Sequence, residues 1–364
     1  MRKRSRTWKG ETIGVSRGET IGIDLGDRFS DVCILDETGT EVRRERIATT
    51  ETGLKGVVKG RSGVRVVMEV GTHSPWVSRL FQGLGHEVIV ASPARVRQIA
   101  GKGDKTDRKD AELLARLGRV DPQVLEPIKH RGESVQSDRA LLRVRDGLVR
   151  TRTSLVTQAR CIAKSLGKRL PRCDAQNFAK RMDREELREL FPGLERLREV
   201  VCELSRQIGV LDGMIEEVSR QKYPVTARLR QITGVGPITA LTYVVTIEDP
   251  KRFGRSRSVG AYLGLKPKKH QSGDQDPELR ITKAGDPYLR RTLVQAAHYI
   301  LGHHGPDTAL RRFGERVKNR GARKTATKRA AVAVARKLAV LLHRLWVSGE
   351  NYEPLRGVEQ TSGA

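Results

Sequence analysis

Four acidic residues in the first third of the chain have the types and spacing for phosphoryl chemistry. Asp24 lies within the apolar run Ile21-Gly22-Ile23-Asp24-Leu25, and Glu69 interrupts Val66-Val67-Met68-Glu69-Val70. A carboxylate without a partner is costly to bury in such a strand, so each calls for a cation. Asp107 and Asp110, three apart in a helical stretch, share one helix face. Two strand acids capped by two helix acids make an oxygen-rich set suited to Mg²⁺ or Mn²⁺. Two such ions about 4 Å apart stabilise both the attacking and the leaving oxygen in phosphodiester cleavage. Asp31, Asp36 and Asp104 lack apolar flanks on both sides and read as surface acids that offset a basic chain.

The elements that must position these acids follow from hydrophobic period. Short β runs at Ile21–Leu25, Asp31–Leu35 and Glu41–Ala48 are joined by tight turns and predict a meander. A helix over Glu51–Lys59, a strand over Val64–Val70, a helix over Trp76–Leu84 and a strand over Glu87–Val90 follow. Strands in a meander, then strands alternating with helices, predict a mixed α/β sheet. The acid pair belongs to a helix over Asp107–Leu117, with Leu113, Leu114 and Leu117 on one side.

Beyond Asp121-Pro122 the pattern changes to long helices. Leu141, Leu148, Leu155 and Ile162 recur every seven residues, and Leu194 to Val218 alternate steps of three and four. That spacing predicts a coiled-coil seam, favouring an exposed or dimerising arm over an internal helix pair. The expected organisation is a basic tail (1–18), an α/β domain (19–128), a coiled-coil arm (129–222), a mainly helical domain (223–348) and a tail (349–364).

The chain of 364 residues carries 70 lysines and arginines against 43 acids, a net charge of +27. That footprint selects a polyanion as partner, most simply nucleic acid. Aromatic residues are only 4% of the chain, so phosphate contact rather than base stacking is the expected main binding mode. The four cysteines lack CxxC spacing and suit a reducing cytoplasm. No apolar run reaches the roughly 20 residues that span a bilayer, and the basic Met1–Lys9 has no apolar stretch of a secretory signal after it.

Two further segments can hold phosphates. In "LRQITGVGPITALTYV", helices joined through Gly234-Val235-Gly236 suggest a helix-hairpin-helix contact made by backbone amides. Between Arg311 and Lys337 there are eleven basic residues against the single acid Glu315, too one-sided for intrahelical pairing. Arg323, Lys324, Lys328 and Arg329 are its candidate contacts.

The stretches "GIDLGDRFSDVCILDETG", "VVMEVGTHSPW" and "KTDRKDAELLARL" together resemble the RuvC-like, DEDD-tetrad transposases of insertion sequences. That family includes Piv-type DNA invertases and bridge-RNA-guided recombinases. The resemblance puts the tetrad on Asp24, Glu69, Asp107 and Asp110 and implies an RNase H/RuvC-like sheet. A later stretch, "FGRSRSVGAYLGLKPKKHQSGDQDPELRITKAGDPYLRRTLVQAA", resembles the family's serine-bearing domain. It implies Ser272 as nucleophile, with Ser256 and Ser258 as lesser candidates. Lys266, Lys268, Lys269, Lys283 and Arg290 would steady DNA, and His270 beside Ser272 could help. This sequence departs from the pattern at Gln271, where a second serine is usual, and at the acidic Asp274-Gln275-Asp276. The resemblance further implies a structured guide RNA and a dimer or tetramer acting on element ends.

Three other readings compete. A Holliday-junction-type nuclease needs the acidic site alone, and a non-catalytic nucleic-acid scaffold needs neither site. An actin/hexokinase-type ATPase would share "GIDLG", but the second glycine loop of that type is missing and the net charge suits it badly.

Overall fold

The computed structural model describes residues 18–100, 107–269, 279–320 and 323–356. The chain divides into two compact units, Met1–Arg131 and Gly132–Ala364.

In the first unit, strands β1 (Thr20–Asp24), β2 (Phe29–Leu35) and β3 (Glu41–Ala48) form the expected antiparallel meander. Then come α1 (Glu51–Val57), β4 (Arg65–Glu69), α2 (Ser74–Gly83), β5 (Glu87–Ala91), α3 (Pro93–Ala100) and α4 (Asp107–Val120). The described strands make one mixed sheet in the order β3-β2-β1-β4-β5, with β4 parallel to β1 and β5 parallel to β4. Helix α1 is two residues shorter than its sequence pattern suggests. Its cap at Val58 leads into a turn that Gly60 closes at φ +76°.

Strand periodicity splits the sheet into two apolar faces. Ile21, Ile23, Val32, Ile34, Val66 and Met68 pack with Leu54, Val57, Val77 and Phe81 of α1 and α2. On the other face, Cys33 and Leu35 pack with Ala111 and Ala115 of α4, and Val67 packs with Leu114. Glycine lets α4 lie low on the sheet. A Cβ at Gly22 would stand 2.0 Å from the Ala111 carbonyl oxygen, and one at Gly118 would stand 2.3 Å from Val67 Cγ2.

The second unit is built on α5 (Glu133–Ser165) and α8 (Pro192–Lys222). They run antiparallel, pinned by Asp138–Lys222 (2.9 Å), Arg145–Asp212 (2.5 Å) and Arg152–Ser205 (3.2 Å). Leu194, Val201, Ile208 and Ile215 of α8 are buried, as are Leu142, Val156 and Ala163 of α5. One seven-residue seam is therefore covered within the chain. The neighbouring series, Leu141, Leu148, Leu155 and Ile162 with Leu197, Leu204, Leu211 and Val218, stays half-buried. Two short helices that sequence periodicity does not reveal, α6 (Phe178–Arg181) and α7 (Arg184–Leu190), fold Phe178, Met182 and Leu187 over the tip of the pair.

At the base of the pair lie α9 (Val225–Leu229), α10 (Pro237–Ile247), α11 (Arg257–Tyr262), α12 (Pro287–Leu301), α13 (Ala309–Asn319) and α14 (Arg323–Ser348). Their core runs through Tyr243, Leu263, Leu293, Val334 and Leu338. The buried Tyr243 hydroxyl donates to the Ala339 carbonyl at 2.7 Å. Tyr288 of α12 joins Leu142 and Ile215 in a second cluster that seats this core on the helix pair. Among the described residues, no helix is long and apolar enough to cross a membrane.

Candidate active site

Asp24 and Glu69 are the last residues of β1 and β4. These strands are parallel neighbours, with Ile23 beside Met68, so the next step along the register sets Asp24 beside Glu69. Asp24 alternates with Gly22, and Glu69 with Val67, so both acids belong to the sheet face that α4 covers. Both are half-buried.

Helix α4 runs against the strand direction. Its late residue Gly118 accepts a hydrogen bond from Arg65 Nη1 (2.8 Å) at the start of β4, while Ala111 lies over Gly22 in the middle of β1. The head of α4 therefore points to the carboxyl ends of β1 and β4. Two residues along a strand advance about 6.6 Å, and four along a helix about 6 Å. Asp107, four residues before Ala111, is thus level with Asp24, two residues after Gly22. Asp110 is half-buried next to Ala111. The Asp107 side chain lies outside the described part of the structure.

Asp31 proves to be more than a surface acid. It is the antiparallel register partner of Asp24, on the same face, and only 9% exposed. Parity could have found it, since Asp31, Cys33 and Leu35 alternate with the core residues Val32 and Ile34. Asp36, by contrast, is a turn residue whose Oδ1 accepts from the Thr38 and Thr40 amides. A bond from the Thr38 hydroxyl (2.6 Å) first, then these amides, holds its pKa below the usual carboxylate range. Asp104 lies outside the described residues. Buried Cys33, its thiol pushed up to about 11 by burial and then by Glu41, is no nucleophile.

All donors in this set are carboxylate oxygens, the chemistry a hard divalent cation takes. Among the described residues, no three metal-binding side chains converge tightly enough to hold an ion. The chemistry of the donors fits a divalent metal.

Two loops leave the carboxyl ends of β1 and β4 and meet. His73 Nε2 stands 3.4 Å from Asp27 Oδ1, and the Trp76 indole N–H donates to His73 Nδ1 at 3.1 Å. An acceptor at Nδ1 puts the neutral ring's proton on Nε2. Behind them Ser74, fully buried, donates to the Gly71 carbonyl (2.9 Å) and receives the Gly71 amide (3.0 Å). His130 Nε2 lies 2.9 Å from the same hydroxyl. Burial first, then Arg79 and Arg131, lowers the His130 pKa. Sequence reasoning passed over all of these.

In the second unit, Ser272 and His270 lie outside the described residues. The chain on either side is a paired strap: Pro267 bridges Ile281, Lys268 N–H donates to Arg280 (2.9 Å), and Thr282 N–H donates to Lys266 (2.9 Å). Lys266, Lys268 and Lys269 are exposed on it. Lys283 takes φ +57° at its foot, where its amide donates to the Gly264 carbonyl. Arg290 is half-buried, with Nη1 donating to the Leu263 (3.0 Å) and Ala284 (2.7 Å) carbonyls, so it braces the strap. Ser258 is exposed. Ser256 is tied to buried His343: Nε2 faces the Pro250 carbonyl (2.9 Å) and must carry the proton, leaving Nδ1 to accept from Ser256 Oγ (3.0 Å). With Phe253 edge-on to its ring at 5.6 Å, this histidine is a satisfied core residue.

Gly234 makes its turn at φ +92°, and Gly236 caps α10 ahead of Pro237. Lys328 and Arg329 are exposed on α14, whereas the side chains of Arg323 and Lys324 lie outside the described part.

The two halves of this geometry have known counterparts. A DEDD transposase model of the IS110 type matches residues 21–166, and the model for the transposase IS116/IS110/IS902 family matches residues 226–312. The transposase of insertion sequence element IS1328 from Yersinia enterocolitica is 34% identical over 65% of this chain and 70% of its own. That of element IS1111A from Coxiella burnetii is 27% identical over 90% of each chain. The pilin gene-inverting protein of Moraxella bovis is 26% identical over 70% of this chain and 71% of its own.

Proposed function

The chain belongs to the IS110-type transposase family and is a protein of DNA transposition; on that premise we propose that it cuts and rejoins DNA at element ends with an acidic metal site and Ser272. The observation that carries this reading is the register of Asp24 beside Glu69, on the face and at the sheet end to which α4 brings Asp107 and Asp110. The sheet order supports the RNase H/RuvC-like assignment.

The four acids would hold Mg²⁺ or Mn²⁺, which when bound lowers the charge barrier at the scissile phosphate. The half-buried carboxylates of Asp24 and Glu69, which would repel a bare phosphate, would serve to hold that ion, and the low packing of α4 fixes the height of the helix over them. Ser272 Oγ attacks phosphorus, an Oγ–P bond forms, and the bond from phosphorus to one strand-end oxygen breaks. The serine proton passes to a neighbouring base, and the departing oxygen takes one up. Exposed Lys266, Lys268 and Lys269 precede that serine in the chain and would neutralise the strand. The remaining positive charge, Lys328 and Arg329 included, suits DNA and a structured guide RNA. The half-buried seam of α5 and α8 suits a second copy of the chain, in a cytoplasmic assembly.

The test uses full-length protein, DNA carrying element ends and the RNA transcribed beside the gene. Recombinant junctions and a protein–DNA adduct are expected from the wild type, cleavage is expected to fall about a thousandfold in Asp24→Asn or Glu69→Gln, and the adduct should vanish in Ser272→Ala. Adduct formation unchanged in Ser272→Ala would overturn the serine assignment. Cleavage retained there but lost in Asp24→Asn would favour a junction-type nuclease.

A further inference from the structure

Beside the acidic site lies an aromatic side chain that the cleavage chemistry does not use. Phe29 opens β2, and its side chain is 51% exposed in a chain poor in aromatic residues. Strand parity puts it on the same face as Asp31, and so on the face of Asp24 and Glu69. The guanidinium of Arg46, register partner of Asp31 on β3, stands 5.1 Å from the Phe29 ring centroid. Phe29 follows directly on the Asp24–Arg28 turn, so the ring stands at the rim where the strand carboxylates end.

We propose that Phe29 and Arg46 form a stacking shelf for one nucleobase of the DNA strand entering the acidic site. The proposal rests on the transposase reading. An exposed ring beside a guanidinium offers a base two complementary contacts, π-stacking and a cation at the ring face. Every base has such a face, so the shelf is sequence-tolerant. Phe29 and Asp31 are two residues apart on one strand, about 6.6 Å, or about two stacked-base steps of 3.4 Å. The shelf thus takes a base about two steps along the strand from the phosphate held over the carboxylates. Holding that base unstacks the strand near the cut. Arg46 also brings positive charge to a rim otherwise rich in carboxylates, and so draws the strand to it.

The test titrates full-length protein, in Ca²⁺, into a single-stranded oligonucleotide of about twelve nucleotides with a central 2-aminopurine. Stacking on the shelf quenches the probe. Phe29→Leu is expected to abolish the extra quenching and weaken binding about tenfold, Arg46→Ala to weaken both, and Phe29→Trp to restore them. Melting midpoints close to wild type would exclude misfolding, as expected for a half-exposed ring. Equal quenching and affinity in Phe29→Leu and wild type would overturn the shelf. Asp24→Asn separates the two readings: quenching should survive while cleavage is lost, and an Asp24→Asn protein that still cleaves would overturn the acidic site and leave the shelf standing.

Discussion

Asp286 shows how single side chains hold the second unit in place. It caps α12, accepting from the Tyr288 and Leu289 amides at 2.8 and 2.9 Å, and also pairs with Arg139 and Arg143 (2.7 Å) of α5. Burial alone would raise its pKa, but the Leu289 amide and the Arg139 and Arg143 guanidiniums outweigh that and depress it. A depressed folded pKa means the stabilisation is fully present above the ordinary aspartate value. It is lost as pH falls through the folded one, so the contribution fades below about pH 4. Asp286→Asn keeps the helix cap and loses the ion pairs, whose arginines are each about one-third exposed. An expected cost of about 2 kcal/mol at neutral pH follows, read by urea titration, and the variant should lose less than wild type on acidification. An unchanged midpoint would show that the pairs are idle.

At the scale of elements, the closeness of α4 to β1 decides whether the acids share a site. Gly22→Ala drives a methyl into the Ala111 carbonyl, so α4 must rise. A loss of about 3 kcal/mol is expected, together with weaker Mn²⁺ binding by calorimetry. Gly56→Ala, in α1 with open space around the added Cβ, should instead stabilise by about 0.5 to 1 kcal/mol. The helix pair allows a second contrast. Ile208→Ala opens the covered seam and should cost about 2 to 5 kcal/mol. Leu204→Glu with Leu211→Glu changes only the half-buried seam, so it should leave the melting midpoint near wild type while shifting sedimentation toward the monomer. Wild-type sedimentation that already reports a monomer would remove that seam from any assembly.

The whole molecule is dominated by its net charge of +27. Nucleic-acid affinity should fall log-linearly with salt, by about a thousandfold between 50 and 200 mM if about six phosphates are neutralised. Lys328→Ala with Arg329→Ala should reduce the slope without changing which DNA is preferred, as measured by fluorescence anisotropy. A flat salt response would contradict phosphate contact as the main binding mode.

The sequence by itself determined what is local. A carboxylate that breaks an apolar run stands out, which is why Asp24 and Glu69 were legible as candidates although both prove to end their strands. The meander, most helix spans and the seven-residue seam are periodic signals. Tertiary structure decided what depends on pairing. Asp31 read as a surface acid until the β1–β2 register set it beside Asp24, and Phe29 and Arg46 met only because β2 pairs with β3. Arg290 shows its bonds to the Leu263 and Ala284 carbonyls only in the fold, since those partners are distant in sequence or lie across a turn. The heptads predicted one coiled-coil seam, but only packing showed that the series Leu194, Val201, Ile208 and Ile215 is covered within the chain while Leu141, Leu148, Leu155 and Ile162 stay half-buried. The physical reason is the same each time. Side-chain period fixes which face of an element a residue occupies, whereas register and crossover, set by contacts distant in sequence, fix what that face meets.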